Sequence, residues 1–217
     1  MDPLDKRYRK RKGEGHVRRQ EILESARHLF LSEGYGQTTI RRIAARAGVT
    51  STALYLYFPN KDAILLEICD QTFAKLIERI DAIRGQGGGA MVMLRRFMEA
   101  YVRFGLEHPD EYRLTFMGNT PEGMPYGHRG EAVDPDAPGA QGPRSFAMLQ
   151  EHVEAVIAEG LFRPMDAGTA AELIWSAGHG FVSLLITFPQ FAWSDREELI
   201  RGIVDLPLAG LLARPSC

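Results

Sequence analysis

Apolar residues recur at α-helical spacing along almost the whole chain. Between Val17 and Ser32, Ile22, Ala26, Leu29 and Phe30 fall at i, i+4, i+7 and i+8, and so share one side of a helix. Gly34 and Gly36 stand where that helix should stop. Thr38 or Thr39 can cap a second helix carrying Ile40, Ile43, Ala44 and Ala47, which Gly48 interrupts early. Thr50 or Ser51 opens a third short helix ending near Phe58, because the residue before Pro59 avoids helical geometry. Asn60 caps a longer helix with Asp62 in its first turn, and apolar positions from Ile64 to Ile80 carry it to Arg84. Gly85, Gly87, Gly88 and Gly89 make a joint before helices expected over 90–107 and from Pro109 onward. Six glycines and five prolines within 118–143 predict a long irregular loop. Helices over 144–159, 167–187 and 195–213 follow, the last kinked or shortened by Pro207. No period-2 alternation persists, so the predicted fold class is all-α, a three-helix head followed by a larger helical bundle.

Composition sharpens that outline. The 217 residues are 45% hydrophobic, enough for a sizeable core, yet no run of eighteen apolar residues and no apolar leader occurs. A cytoplasmic protein without membrane contact is therefore expected, with Cys69 and Cys217 as reduced thiols. The net charge of −2 hides an asymmetry. Residues 1–62 hold 13 lysines and arginines against 7 acids, and residues 63–217 hold 13 against 21. A basic head on an acidic body suits a polyanion partner. Lys6, Arg7, Arg9, Lys10, Arg11 and Lys12 crowd around Tyr8, so residues 1–16 are expected to be a basic arm able to lie along phosphates. The expected domains are then a head over 17–62 and a body over 63–217.

Two short helices joined by Ala47-Gly48-Val49 have the dimensions of a helix-turn-helix. Around them, Gly34-Tyr35, Thr38-Thr39-Ile40, Ile43-Ala44, Ala47-Gly48-Val49, Leu54-Tyr55, Tyr57-Phe58 and Asn60-Lys61-Asp62 appear in order. This series resembles the N-terminal domain of the tetracycline-repressor (TetR) family over roughly residues 17–68. The resemblance implies a dimeric bacterial transcription regulator, usually a repressor, that binds a palindromic operator in double-stranded DNA. Because a recognition helix presents its N-terminal residues to base edges, Thr50, Ser51, Thr52 and Ala53 are the candidate base readers. Tyr55, Tyr57 and Lys61 fall where family members contact the DNA backbone, and Arg41 matches a position that reaches DNA. Leu54, Phe58 and Tyr35 read as packing residues.

For the body, the same resemblance implies a ligand-binding and dimerisation domain. His108-Pro109-Asp110-Glu111-Tyr112-Arg113-Leu114 and Trp175-Ser176-Ala177-Gly178-His179-Gly180-Phe181 resemble the subgroup recognised by a Trp-His-Gly pattern. The helices at 144–159 and 167–187 are the expected dimer pair. Gly178 and Gly180, costly inside a helix, call for a close neighbour on the twin subunit or in the chain's own core. Phe97, Tyr101, Phe104, Tyr112, Phe116, Met117, Trp175 and His179 are the candidate lining of a pocket for a small lipophilic or aromatic effector. Each can equally be plain core. No cofactor is expected; the histidines lack metal-site spacings, and no catalytic residue is expected because no nucleophile elbow is present. The glycines at 85–89 lack the preceding strand of a dinucleotide site, which argues against an enzyme. A helical interaction protein that binds no DNA is the other alternative.

Overall fold

A computed structural model describes residues 15–118, 134 and 137–213. The basic arm up to residue 14, most of the 118–143 loop and Cys217 lie outside the described residues. The described chain is helical, as expected. Among the described residues no strand forms, only a single bridge pairing Phe162 with Leu212. The chain divides into two compact units, Met1–Ile68 and Cys69–Cys217.

The first unit contains α1 (Gly15–Glu33), α2 (Ile40–Arg46), α3 (Ser51–Tyr55) and the start of α4 (Lys61–Arg84). Its core is the apolar stripe of α1 against Ile43, Ala44, Leu54, Phe58, Ile64, Leu65 and Ile68, all buried. Short helices depend on their ends, and the ends here are well made. Thr39, Thr50 and Asn60 each accept the backbone N–H three residues on, from Arg42, Ala53 and Ala63. Thr39 is thus the cap of α2, while Thr38 is buried and its hydroxyl donates to the Gly34 carbonyl. Between α2 and α3 the chain turns at Gly48, whose φ of +67° suits a residue without Cβ.

The second unit holds the rest of α4 and helices α5 (Ala90–Glu107), α6 (Pro109–Tyr112), α7 (Gln141–Ala158), α8 (Ala167–Thr187) and α9 (Arg196–Leu211). Helix α5 packs against α7, α8 and α9, burying Leu94, Phe97, Met98, Tyr101, Val102 and Phe104. The helix expected from Pro109 is short, because after one turn it widens into a π-helical turn over Arg113–Met117. Helix α7 starts three residues earlier than expected, with Gly142 and Pro143 in its first turn, where proline's missing N–H costs little. The Asp70 carboxylate accepts the N–H groups of Gly139 and Gln141 there and anchors that end to α4. Helix α9 runs on past Pro207 to Leu211. By length and composition α8 could cross a membrane, yet Ala170, Ala171, Ile174, Gly178, Val182 and Ile186 pack it into the bundle.

Two glycines mark the tightest approaches in this core. A Cβ on Gly105 would lie 2.6 Å from a Val182 methyl and 2.8 Å from the Tyr112 ring. A Cβ on Gly178 would meet the end of Met98 at 3.0 Å, so its close neighbour is the chain's own α5. Gly105→Ala should therefore lose about 1–3 kcal/mol in chemical denaturation, as overpacked sites do. Gly178→Ala should lose less, since a methionine end can move aside. Equal stability of Gly105→Ala and the wild type would contradict this packing.

Candidate functional site

The head presents its candidate residues on α2, α3 and the segment just after. Thr50 stands exposed in extended backbone as the cap of α3, with Thr52 exposed two residues on and Ser51 and Ala53 half-buried. Tyr55 is 54% exposed at the end of α3, Tyr57 is half-buried, and Arg41 is exposed in the first turn of α2. Leu54 and Phe58 are buried, as packing residues should be, and Tyr35 lies against Phe30 with ring centroids 5.2 Å apart.

Lys61 differs from the others. Its Nζ donates to the Tyr35 carbonyl at 2.7 Å and the Thr38 carbonyl at 3.0 Å, and it sits 4.0 Å above the Tyr35 ring. Partial burial lowers its pKa from the ordinary lysine value. The Tyr35 hydroxyl donates to the neighbouring Asp62 carboxylate.

Sequence reasoning did not find three contributors to this surface. Arg19 pairs through Nε with both Glu67 carboxylate oxygens at 2.9 and 3.0 Å, donates to the Tyr57 carbonyl and lies 4.1 Å above the Phe58 ring. Arg18 donates to the Ala47 carbonyl at 3.2 Å, within the turn between α2 and α3. Their hydrogen-bond partners lie 29–48 residues away by sequence number, beyond any local pattern. Leu56 is 84% exposed beside Tyr55, and nothing in the apolar run Leu54-Tyr55-Leu56-Tyr57-Phe58 sets it apart from its neighbours.

In the second unit, five of the eight candidate ligand residues come together. Tyr101 from α5, Tyr112 from α6, Phe116 from the π-helical turn and Trp175 and His179 from α8 form one aromatic cluster, with centroids 4.6–6.5 Å apart where rings meet. Phe146 joins it against Trp175, another residue the sequence did not single out. Phe97 and Phe104 are instead buried beside His152 and His108, and Met117 is exposed.

A chain of hydrogen bonds threads the cluster. Trp175 Nε1 donates to the Tyr101 hydroxyl at 3.1 Å, which meets the Tyr112 hydroxyl at 2.7 Å, which meets His179 Nδ1 at 2.8 Å. Ser183 Oγ lies 3.3 Å from His179 Nε2. An indole can only donate. The order that satisfies every member runs from Trp175 to Tyr101, Tyr112 and then Nδ1, leaving a neutral imidazole with its proton on Nε2 toward Ser183. Burial raises the Tyr101 pKa to about 12 and raises that of Tyr112 further, and burial lowers that of His179. The cluster therefore offers aromatic faces and neutral polar groups. Among the described residues no group of side chains could hold a metal ion.

The sign of the pH dependence follows from His179. Its depressed pKa means that the unfolded chain takes up the proton first as pH falls. The stabilising contribution is complete above the unfolded histidine value of about 6.5 and is lost as pH falls from there through the folded value. The denaturation midpoint of the wild type should drop between pH ~7.5 and ~5.5 more than that of His179→Gln. Parallel curves would rule out the neutral, Nδ1-accepting histidine.

Known proteins share this architecture. Residues 22–68 match the family described as bacterial regulatory proteins, tetR family, and residues 94–206 match the tetracyclin repressor-like C-terminal domain. The uncharacterized HTH-type transcriptional regulator YuxN of Bacillus subtilis (strain 168) is 33% identical over 89 residues, covering 41% of this chain and 31% of YuxN. The HTH-type transcriptional repressor AcnR of Corynebacterium diphtheriae is 36% identical over 62 residues, covering 29% of this chain and 33% of AcnR. The matched stretch thus spans about a third of either relative. The crystal structure of the TetR family transcriptional regulator PfmR from Thermus thermophilus superposes with a TM-score of 0.61 at 26% identity, covering 88% of this chain and 99% of PfmR. With matches over both its head and more than half its length, the chain belongs to the tetR family of transcriptional regulators.

Proposed function

We propose that this chain is a dimeric repressor that binds a palindromic operator through its head and leaves it when a small lipophilic or aromatic effector occupies its body. The observation that carries the DNA reading is the exposed N-terminal edge of α3, capped by Thr50, with Arg41 of α2 and Tyr55 exposed on the same short motif. Thr50, Ser51, Thr52 and Ala53 are assigned to base edges, where hydroxyls hydrogen-bond and the alanine methyl meets a thymine methyl. Arg41, Tyr55 and Tyr57 are assigned to phosphates, joined by the basic arm. Residues 17–62 act as the DNA-binding domain and 63–217 as the effector and dimer domain.

The effector reading rests on the aromatic cluster around Tyr112, with Trp175 left 38% exposed. Rings and neutral hydroxyls without a charged member favour an uncharged, flat ligand. Trp175, His179 and Gly180 are the residues behind the Trp-His-Gly subgroup reading. Release is a population shift, in which the effector favours a dimer whose heads no longer fit the half-sites.

For the dimer, α8 and α9 are better placed than α7. Leu173 and Leu184 of α8 are exposed on one side of the helix, with half-buried Ala177 and Gly180 between them and exposed Phe188 just past its end; among the described residues no heavy atom outside the helix lies within 4 Å of a Cβ built at Gly180. On α9, Leu206 is 72% exposed in line with Gly202. The outward side of α7 instead carries Arg144, Glu151 and Glu154. Such an apolar surface calls for a partner, and a second copy supplies the matching stripe.

Two measurements test these readings. Selection from genomic fragments should recover a palindrome with half-sites about one DNA turn apart. Arg41→Ala and Tyr55→Ala should each bind that duplex roughly tenfold or more weakly. Random enrichment, insensitive to both substitutions, would leave only a helical interaction protein. By sedimentation, Leu206→Asp combined with Leu184→Asp should turn a dimer into a folded monomer, whereas an undisturbed dimer would return the interface to α7.

A further inference from the structure

We propose that the effector carries an uncharged hydrogen-bond acceptor, a carbonyl oxygen on a flat apolar skeleton, and that His179 Nε2 is the group that donates to it. This rests on the effector reading above and names the polar group which that reading leaves open. Trp175, His179 and Ser183 stand at i, i+4 and i+8 of α8 and so share one side of the helix. Trp175 is exposed and the other two are half-buried, whereas their partners Tyr101 and Tyr112 are buried. A molecule reaching the cluster therefore meets the Trp175 ring, the His179 edge and the Ser183 hydroxyl before either phenol.

The donors along this row can be counted, because an indole has one N–H and a phenol one O–H. The Trp175 N–H goes to Tyr101 at 3.1 Å, the Tyr101 O–H to Tyr112 at 2.7 Å and the Tyr112 O–H to His179 Nδ1 at 2.8 Å. The reverse order would leave the buried Tyr101 hydroxyl accepting from both sides, with no acceptor for its own hydrogen among the described residues. All three donors are thus directed inward. Burial keeps the imidazole neutral, so its single N–H sits at Nε2. There it faces the Ser183 hydroxyl oxygen at 3.3 Å, beyond the about 2.9–3.0 Å usual for an N–H···O bond. A ligand carbonyl that comes closer replaces that contact, and the Ser183 hydroxyl can turn to donate to the same oxygen. A ligand offering only a donor finds Nδ1 taken by Tyr112 and both phenols buried, and must share the Ser183 oxygen with Nε2–H. No cation belongs to the cluster, so a neutral carbonyl enters at less desolvation cost than a carboxylate.

The test uses three bicyclic probes of similar size: indanone, which only accepts, indole, which only donates, and indane, which does neither. Each is titrated into the full chain labelled with the heavy nitrogen isotope, and the magnetic resonance signals of the Trp175 and His179 rings are followed. The Trp193 ring, which packs on Phe191 and donates to the Phe188 carbonyl, is the control outside the cluster. Indanone should bind roughly fivefold or more tightly than indane or indole, the worth of about one neutral hydrogen bond, and should shift the Nε2 signal most. Equal binding of all three at the cluster, or a preference for indole, leaves the effector reading in place and overturns the proposal. Before any probe is added, the two ring-nitrogen shifts of His179 report the tautomer, and a proton on Nδ1 instead of Nε2 overturns the proposal as well. Ser183→Ala, which a helix accepts readily, should keep the preference for indanone. Loss of that preference would give the donor to Ser183 and overturn the assignment to His179. If no probe moves the Trp175 or His179 signals, the effector reading falls and the proposal with it.

Discussion

The second unit is organised around a side chain that is missing. Because Gly105 has no Cβ, the Tyr112 ring lies flush on α5 and a Val182 methyl of α8 reaches the same spot. That places a phenol in the centre of the bundle, where an unpaired hydroxyl would cost about 1–3 kcal/mol. Tyr101 and His179 supply its partners, one on each neighbouring helix. The wider π-helical turn that follows carries Phe116 back against the Tyr112 ring, and Arg113 fastens the turn to the Ile186 carbonyl near the end of α8. A side chain at Gly105 would push Tyr112 outward and separate residues that only tertiary packing joins.

Helix α8 shows how one sequence can serve two surfaces. Gly178 is open on the side that meets Met98 and Tyr101, while among the described residues nothing outside the helix comes within 4 Å of a Cβ at Gly180, two residues on. Both cost backbone entropy, yet they are small for different reasons. The first admits α5, and the second belongs to the apolar stripe of Leu173, Ala177, Leu184 and Phe188. Apolar residues on both sides explain why the helix satisfies the length and hydropathy of a membrane span while part of it is core.

Helix positions were largely legible because the 3.6-residue period and the caps at Thr39, Thr50 and Asn60 are local signals. The exceptions are tertiary. Nothing between Arg113 and Met117 announces a π-helical turn, which is held by contacts to α8. The early start of α7 depends on Asp70, about seventy residues earlier in sequence. The same limit shaped the site. Phe97, Tyr101 and Phe104 occupy one stripe of α5, so spacing cannot separate them. They part company only because Tyr101 finds Tyr112 and Trp175 while Phe97 finds His152 and Phe104 finds His108.

The head raises the same issue at finer energy. A helix as short as α3 draws little stability from its own hydrogen bonds, so its direction is set by a few polar ties at its flanks. Every 1.4 kcal/mol is a factor of ten in affinity, and a hydrogen bond to a charged group is worth about that much or more. A residue that touches no base can therefore influence sequence discrimination as strongly as one that does. Charge and position alone would put Lys61 on the DNA backbone, as the family pattern does. Its two carbonyl partners and the ring beneath it also tie the start of α4 to the turn before α2.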